Sequence, residues 1–243
     1  MISDTPVIKI KSVLLRYENG EKAIKNLTLS FYSSSLQFIT GPSGAGKTSV
    51  LKLINIDEFV TDGSCEILGI DVSKKSKSSA TIANIKQQIG YIPQNIELIE
   101  HMSAIENVAL PLKIAGVAEK ERTVLAKEML AWLNVPTKQH NVYPYELSAG
   151  QRQLIAIARA VIKKPKIILA DSPVSYLNAR IANKVLSLFL EFSKSQQTCV
   201  IITNNNEQIT PQMLKNHREI KLLAGMLADN FGNIQPNDFQ VAV

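Results

Sequence analysis

One octapeptide, Gly41-Pro42-Ser43-Gly44-Ala45-Gly46-Lys47-Thr48, constrains what this chain can fold into more than any other stretch. Its glycines, lysine and terminal hydroxyl stand at the spacing of a phosphate-binding loop. The flanks agree: residues 36–40 read as a short buried strand, and residues 49–54 as the first turns of a helix. Strand, glycine-rich loop and helix are what the chemistry needs. Glycines let successive N–H groups curl around a polyphosphate, and the helix N-terminus faces the same anion. Lys47 is predicted to reach the β- and γ-phosphates, and the Thr48 hydroxyl to ligate Mg²⁺. A chance Gly/Ser loop would lack the strand and helix. The stretch implies a nucleoside triphosphate site.

The 243 residues allow one large domain or a core with an insertion. A hydrophobic content of 45% and a mean hydropathy of +0.03 predict a soluble globular protein with an ample core. No basic-then-apolar leader is read at the N-terminus, and no apolar run approaches the roughly 18 residues of a membrane span. Residues 105–118 come nearest and are interrupted by Glu106, Pro111 and Lys113. Cys65 and Cys199 sit in apolar, strand-like runs and are expected to be small core residues in a reducing cytoplasm. The net charge of +6 is compatible with nucleic acid or an anionic membrane face. Only Lys74-Lys75-Ser76-Lys77 forms a basic cluster, expected as a solvated loop.

Residues 7–17 begin with period-2 alternation, the pattern of a half-exposed antiparallel strand, and residues 27–32 alternate again. Tyr17, about two dozen residues before the phosphate loop, could stack on an adenine face or simply pack in a sheet. Asp62-Gly63-Ser64 reads as a turn, residues 65–68 as a strand, residues 82–88 as a helix and residues 89–94 as a strand ending in a loop. Residues 104–112 and 118–133 carry apolar residues at helical spacing. The expected division is a core of residues 1–94 and 144–243 with a helical insertion over 95–143. Ser148 is placed to cap a helix through Ile162. Residues 166–171 and 198–203 read as fully buried parallel strands separated by a helix from Ala179. The last two dozen residues are weakly patterned. The expected class is α/β: a mixed sheet flanked by helices, with an N-terminal antiparallel β portion.

At Leu147-Ser148-Ala149-Gly150-Gln151, between the phosphate loop and Ala170-Asp171, the sequence resembles an ABC-type ATPase domain, a P-loop NTPase fold, over residues 7–222. Within that family it is most similar to the FtsE cell-division group and its relatives in lipoprotein release and macrolide export. Residues 38–40, 106–112 and 169–171 carry that likeness. The resemblance implies that Tyr17 stacks on adenine, that residues 41–48 and Ser49 hold ATP, and that Thr48, Gln94 and Asp171 hold Mg²⁺. It places Ser148, Gly150 and Gln151 at the γ-phosphate of a second subunit in a head-to-tail dimer. An integral membrane partner, an FtsX-like permease, is implied, with the chain on the cytoplasmic face of the inner membrane. No long coiled coil, zinc-spaced cysteines or second ATPase domain speaks for nucleic acid, and none is expected.

The departures from the family pattern concern hydrolysis. Ser172 stands where the family places the glutamate that polarises water, and Asn204 where it places a histidine contacting the γ-phosphate. Asn178 replaces the aspartate of a dimer contact, Ala149 the first signature glycine, and Leu154 a common arginine. Loss of a general base removes about 10²–10⁴-fold of rate. The expectation is ATP binding with slow hydrolysis, unless another carboxylate, or Gln94 with substrate assistance, restores turnover.

Overall fold

The computed structural model describes residues 5–74, 77–204 and 217–229. β1 (Ile8–Arg16), β2 (Lys22–Phe31), β4 (Asp62–Ile67) and β5 (Ile70–Asp71) pair antiparallel in the order β2-β1-β4-β5. A second sheet runs β10 (Met226–Leu227), β9 (Arg218–Leu223), β3 (Ser35–Thr40), β8 (Cys199–Asn204), β7 (Ile167–Asp171), β6 (Ile89–Ile92). Its strands are parallel except β10, which turns back on β9. The helices are α1 (Lys47–Ile54), α2 (Ser79–Lys86), α3 (Ala104–Ile114), α4 (Glu119–Trp132), α5 (Ala149–Val161) and α6 (Ala179–Ser195).

β7 and β8 are buried at every residue, as strands covered on both faces must be. Alternate side chains go to opposite faces. Ile167, Leu169, Cys199 and Ile201 pack with α1 and the antiparallel sheet, whereas Ile168, Ala170, Val200 and Ile202 pack under α3, α4, α5 and α6. The six-stranded sheet thus divides two cores, and the phosphate loop leaves its middle at the carboxyl end of β3, where open α/β sheets hold ligands.

Some boundaries differ from the sequence reading. Residues 62–64 belong to β4 rather than to a turn, because β1 bulges at Ser12 (φ 48°) and stays paired through Leu14 and Asp62. β2 starts at Lys22, before a left-handed Asn26 (φ 47°) that masks its alternation. α2 begins at Ser79, where the Ser78 hydroxyl accepts the Thr81 N–H. β9 and β10 were not anticipated. Cys65 and Cys199 are buried free thiols, each pushed up to about 12 by burial. Lys75, Ser76, Asn205 and residues 230–243 lie outside the described residues. Among the described residues no helix is long and apolar enough to cross a membrane.

Candidate functional site

β3 ends at Thr40 and the chain turns so tightly against β9 that a Cβ on Gly41 would lie 2.2 Å from the Leu222 carbonyl oxygen. At the loop's other end Gly46, left-handed at φ 94°, precedes α1, and a Cβ there would lie 2.6 Å from the Ala23 oxygen. Side chains are excluded at both ends. Among the described residues, the N–H groups of Gly44, Gly46, Lys47 and Thr48 donate to no backbone carbonyl, which leaves them for an anion. Lys47 Nζ donates to the carbonyls of Gly41 (2.7 Å) and Pro42 (2.8 Å), across the mouth of the loop. Burial lowers its pKa, while the Asp171 carboxylate works in the opposite direction.

Residues 43–49 line a cleft with Tyr17, Glu21, Ala23, Gln94 and Asp171. The Tyr17 hydroxyl shares a 2.9 Å hydrogen bond with Ser49 Oγ, which fixes the phenol beside the loop. Glu21 was not singled out from sequence. The turn at Asn19-Gly20, closed by the Tyr17 N–H on the Glu21 carbonyl (2.9 Å), carries it back beside Tyr17.

Asp171, the last residue of β7, is 2% exposed. Its Oδ2 accepts from Thr48 Oγ1 (2.7 Å) and its Oδ1 from Thr203 Oγ1 (2.5 Å). Thr203 Oγ1 also accepts the Ser172 N–H (3.1 Å), so both strand ends are tied to the loop. One buried carboxylate converging with a hydroxyl fits Mg²⁺, which keeps several waters and takes phosphate oxygens. Among the described residues no group of three or more His, Cys, Asp or Glu could cage a metal. The site suits a cation that arrives with its own oxygen ligands.

Ser172 leaves β7 in a left-handed conformation (φ 49°), and among the described residues its hydroxyl has no hydrogen-bond partner. Asn204 ends β8, level with Thr40 of β3. It is 5% exposed, and its Nδ2 is buried with no partner among the described residues. Neither residue is in the lining of the phosphate cleft.

Gln94 follows β6 and lines both the phosphate cleft and an adjoining one that reaches Glu97 and Arg159. The far end of its loop is fastened by Asn107, fully buried on α3. The Asn107 amide donates to the carbonyls of Ile99 (3.1 Å), Met102 (2.9 Å) and Ser103 (3.1 Å) and accepts the Ile99 N–H (2.8 Å). Arg159 on α5 donates to Asn107 Oδ1 (3.4 Å) and to the Glu97 carbonyl (2.7 Å). Burial lowers the Arg159 pKa, with Glu97 opposing. This junction was missed from sequence, although a lone amide on an apolar helical face was its signal.

Ser148, Gly150 and Gln151 stand apart from both clefts. The Ser148 hydroxyl accepts the Gln151 N–H (3.3 Å) and Gln151 Oε1 accepts the Ser148 N–H (2.7 Å), a reciprocal cap on α5. A Cβ on Gly150 would lie 3.1 Å from the Tyr176 oxygen. Asn178 Oδ1 accepts the Ile181 N–H (3.0 Å) and caps α6, a task asparagine and aspartate perform equally. Leu154 is buried in the apolar core.

The family model described as ABC transporter matches residues 24–175. The methionine import ATP-binding protein MetN of Latilactobacillus sakei is 35% identical over 84% of this chain, which spans 59% of that protein's length. The lipoprotein-releasing system ATP-binding protein LolD of Rickettsia bellii is 34% identical over 86% of this chain and 93% of its own. Among solved structures, the dimeric ATP-binding cassette MJ0796 matches at a TM-score of 0.84 and 30% identity, over 91% of this chain and 96% of that one. The same cassette as a post-hydrolysis dimer with ADP and Pi matches at 0.83 and 29%.

Proposed function

The chain belongs to the ABC transporter family, and on that premise we propose an ATP-binding subunit that closes as a sandwich dimer on a membrane partner and hydrolyses ATP slowly. One observation carries this reading. Thr48 of the loop and Thr203 of β8 both donate to Asp171, while the next residue after Asp171 is a serine and after Thr203 an asparagine.

In this reading Tyr17 stacks on adenine and residues 41–49 wrap the phosphates. Thr48, Asp171 and Gln94 would hold Mg²⁺, which would supply Lewis-acid charge when bound. Ser148, Gly150 and Gln151 of a second copy present the N-terminus of α5 to the terminal phosphate. Asn204 stands in place of the histidine that would contact that phosphate, and brings no imidazole to it. Ser172 offers no carboxylate to orient water, so the closed state persists.

The membrane partner is proposed to be an FtsX-like permease and the setting cell division at the cytoplasmic face of the inner membrane. The FtsE-like stretches support this, and the LolD likeness lies among the close relatives of that group. Residues 95–143 act as the helical insertion. Between β6 and α3, an apolar groove of Ile89, Tyr91, Leu110, Pro111 and Ile114, edged by Lys86 and Lys163, suits a short helix of the partner.

ATP turnover is measured beside nucleotide-dependent dimerisation for wild type and Ser172→Glu. Wild type is expected to bind, dimerise and barely turn over, and Ser172→Glu to hydrolyse about 10²-fold faster or more. Brisk wild-type turnover would sink the slow-switch reading. Depletion that leaves cells dividing at normal length would remove the cell-division setting. A second reading, one half of a heterodimer, is favoured by the intact cap at Ser148 in a chain that carries Ser172 in place of the water-polarising glutamate. ATPase activity that appears only on mixing with a second cassette subunit distinguishes it.

A further inference from the structure

The phosphate loop is braced from behind by a segment beyond the residues 24–175 that the family model matches. Between β9 and β10 the chain turns at Ala224 and Gly225. The Gly225 N–H donates to the Ala45 carbonyl inside the loop (3.2 Å), and the Gly225 carbonyl accepts the Lys25 N–H of β2 (2.8 Å). Gly225 is left-handed at φ 85°, and a Cβ on it would lie 2.8 Å from the Ala23 oxygen and 3.3 Å from Ile24 Cα. The Cβ that Gly46 lacks would in turn lie 3.5 Å from Gly225 Cα. Backbone meets backbone here with no side chain between. Loop, β2 and hairpin interlock.

The contact reaches the ligand side through one peptide plane. Holding the Ala45 carbonyl fixes the Ala45–Gly46 peptide, and with it the direction of the Gly46 N–H, one of the donors left for phosphate. We infer that Gly225 is a positioning residue for nucleotide binding, aiming the Gly46 N–H through Ala45 while touching no nucleotide atom itself. This rests on residues 41–48 being the phosphate cradle.

The test separates close approach from left-handed strain. Gly69 is also left-handed (φ 80°), yet a Cβ there would meet nothing within 4 Å, so Gly69→Ala carries the strain alone. Asparagine tolerates the left-handed region, so Gly225→Asn relieves strain but keeps the intruding Cβ. MgATP affinity is measured by calorimetry, and thermal stability without nucleotide. Gly225→Ala and Gly225→Asn should each weaken MgATP about tenfold or more, as misaimed donors do. Gly69→Ala should stay within about twofold, with a comparable fall in melting temperature. In the wild type, MgATP should slow hydrogen exchange at Gly225 and Gly46 together and leave Gly69 unchanged; this arm stands if the variants do not fold. A folded Gly225 variant that binds as tightly as wild type, or a Gly225 amide indifferent to nucleotide, overturns the inference. Wild type that fails to bind MgATP overturns the cradle itself.

Discussion

At the ends of β7 and β8, two neighbouring pairs of residues have opposite fortunes. Asp171 and Thr203 are bonded to each other, and Asp171 also to Thr48, so the sheet and the phosphate loop share one buried network. Ser172 and Asn204 come one residue later on the same strands. One has a hydroxyl with no partner among the described residues, and the other a buried amide nitrogen with none. Under the proposed function, the difference makes holding a nucleotide and attacking it separable in this fold. The first is built into strand register. The second depends on side chains that can change without disturbing the network beside them.

The largest effect should come from setting Asp171→Ala against Ser172→Ala. Losing the carboxylate leaves two hydroxyls without their acceptor and should cost about 3 kcal/mol, or roughly 10²-fold, in MgATP affinity by calorimetry. Ser172→Ala removes nothing that is bonded and should stay within about twofold. Equal losses would collapse the distinction. Next, Thr203→Val should lower stability in urea by about 2 kcal/mol, since it strips a buried donor from Asp171 and an acceptor from the Ser172 N–H.

Asn204→Leu is expected to move the other way. It removes a buried donor that has no partner among the described residues and should stabilise the free protein by about 1 kcal/mol in the same assay. A destabilised variant would show that the amide has a partner after all. The smallest effect near neutrality concerns pH. The phosphate-binding form of Lys47 is the charged one, and burial holds its pKa below the ordinary lysine value. MgATP affinity should therefore fall as pH rises through that lowered pKa, in an alkaline limb that starts earlier than an exposed lysine would give. Lys47→Arg should abolish the limb whatever its baseline affinity.

The phosphate loop was legible because its chemistry is written in eight consecutive residues. The fully buried strands were legible because continuous apolar runs leave few alternatives. Elsewhere local preference was overridden. Asp62-Gly63-Ser64 has turn-forming composition, yet pairing with a bulged β1 holds it in a strand. β9 was missed because only Ile220 and Leu222 carry its alternation, and its place is set by β3, whose Thr40 hydroxyl donates to Glu219 Oε1 at 2.7 Å across 179 positions. Asn107 could be quoted as a family match, but its five hydrogen bonds depend on how residues 97–103 fold back over α3 and on an arginine 52 positions away. The roles of Ser172 and Asn204 were framed by comparison of residue types, and the unpaired Nδ2 became visible only with neighbours in place.

Among the described residues β6 is an edge strand, hydrogen-bonded on one side only, to β7. Gln94 follows it closely, and the loop beyond is riveted to α3 and α5 through Asn107 and Arg159. In mechanical terms this has the layout of a crank: one end beside the phosphate cleft, an arm, and a pin in the helical layer. Edge position lets the strand end shift at the cost of one row of hydrogen bonds instead of two. On the role proposed for Gln94, a shift there would reach α3 as torque, at the wall of the groove proposed for the membrane partner.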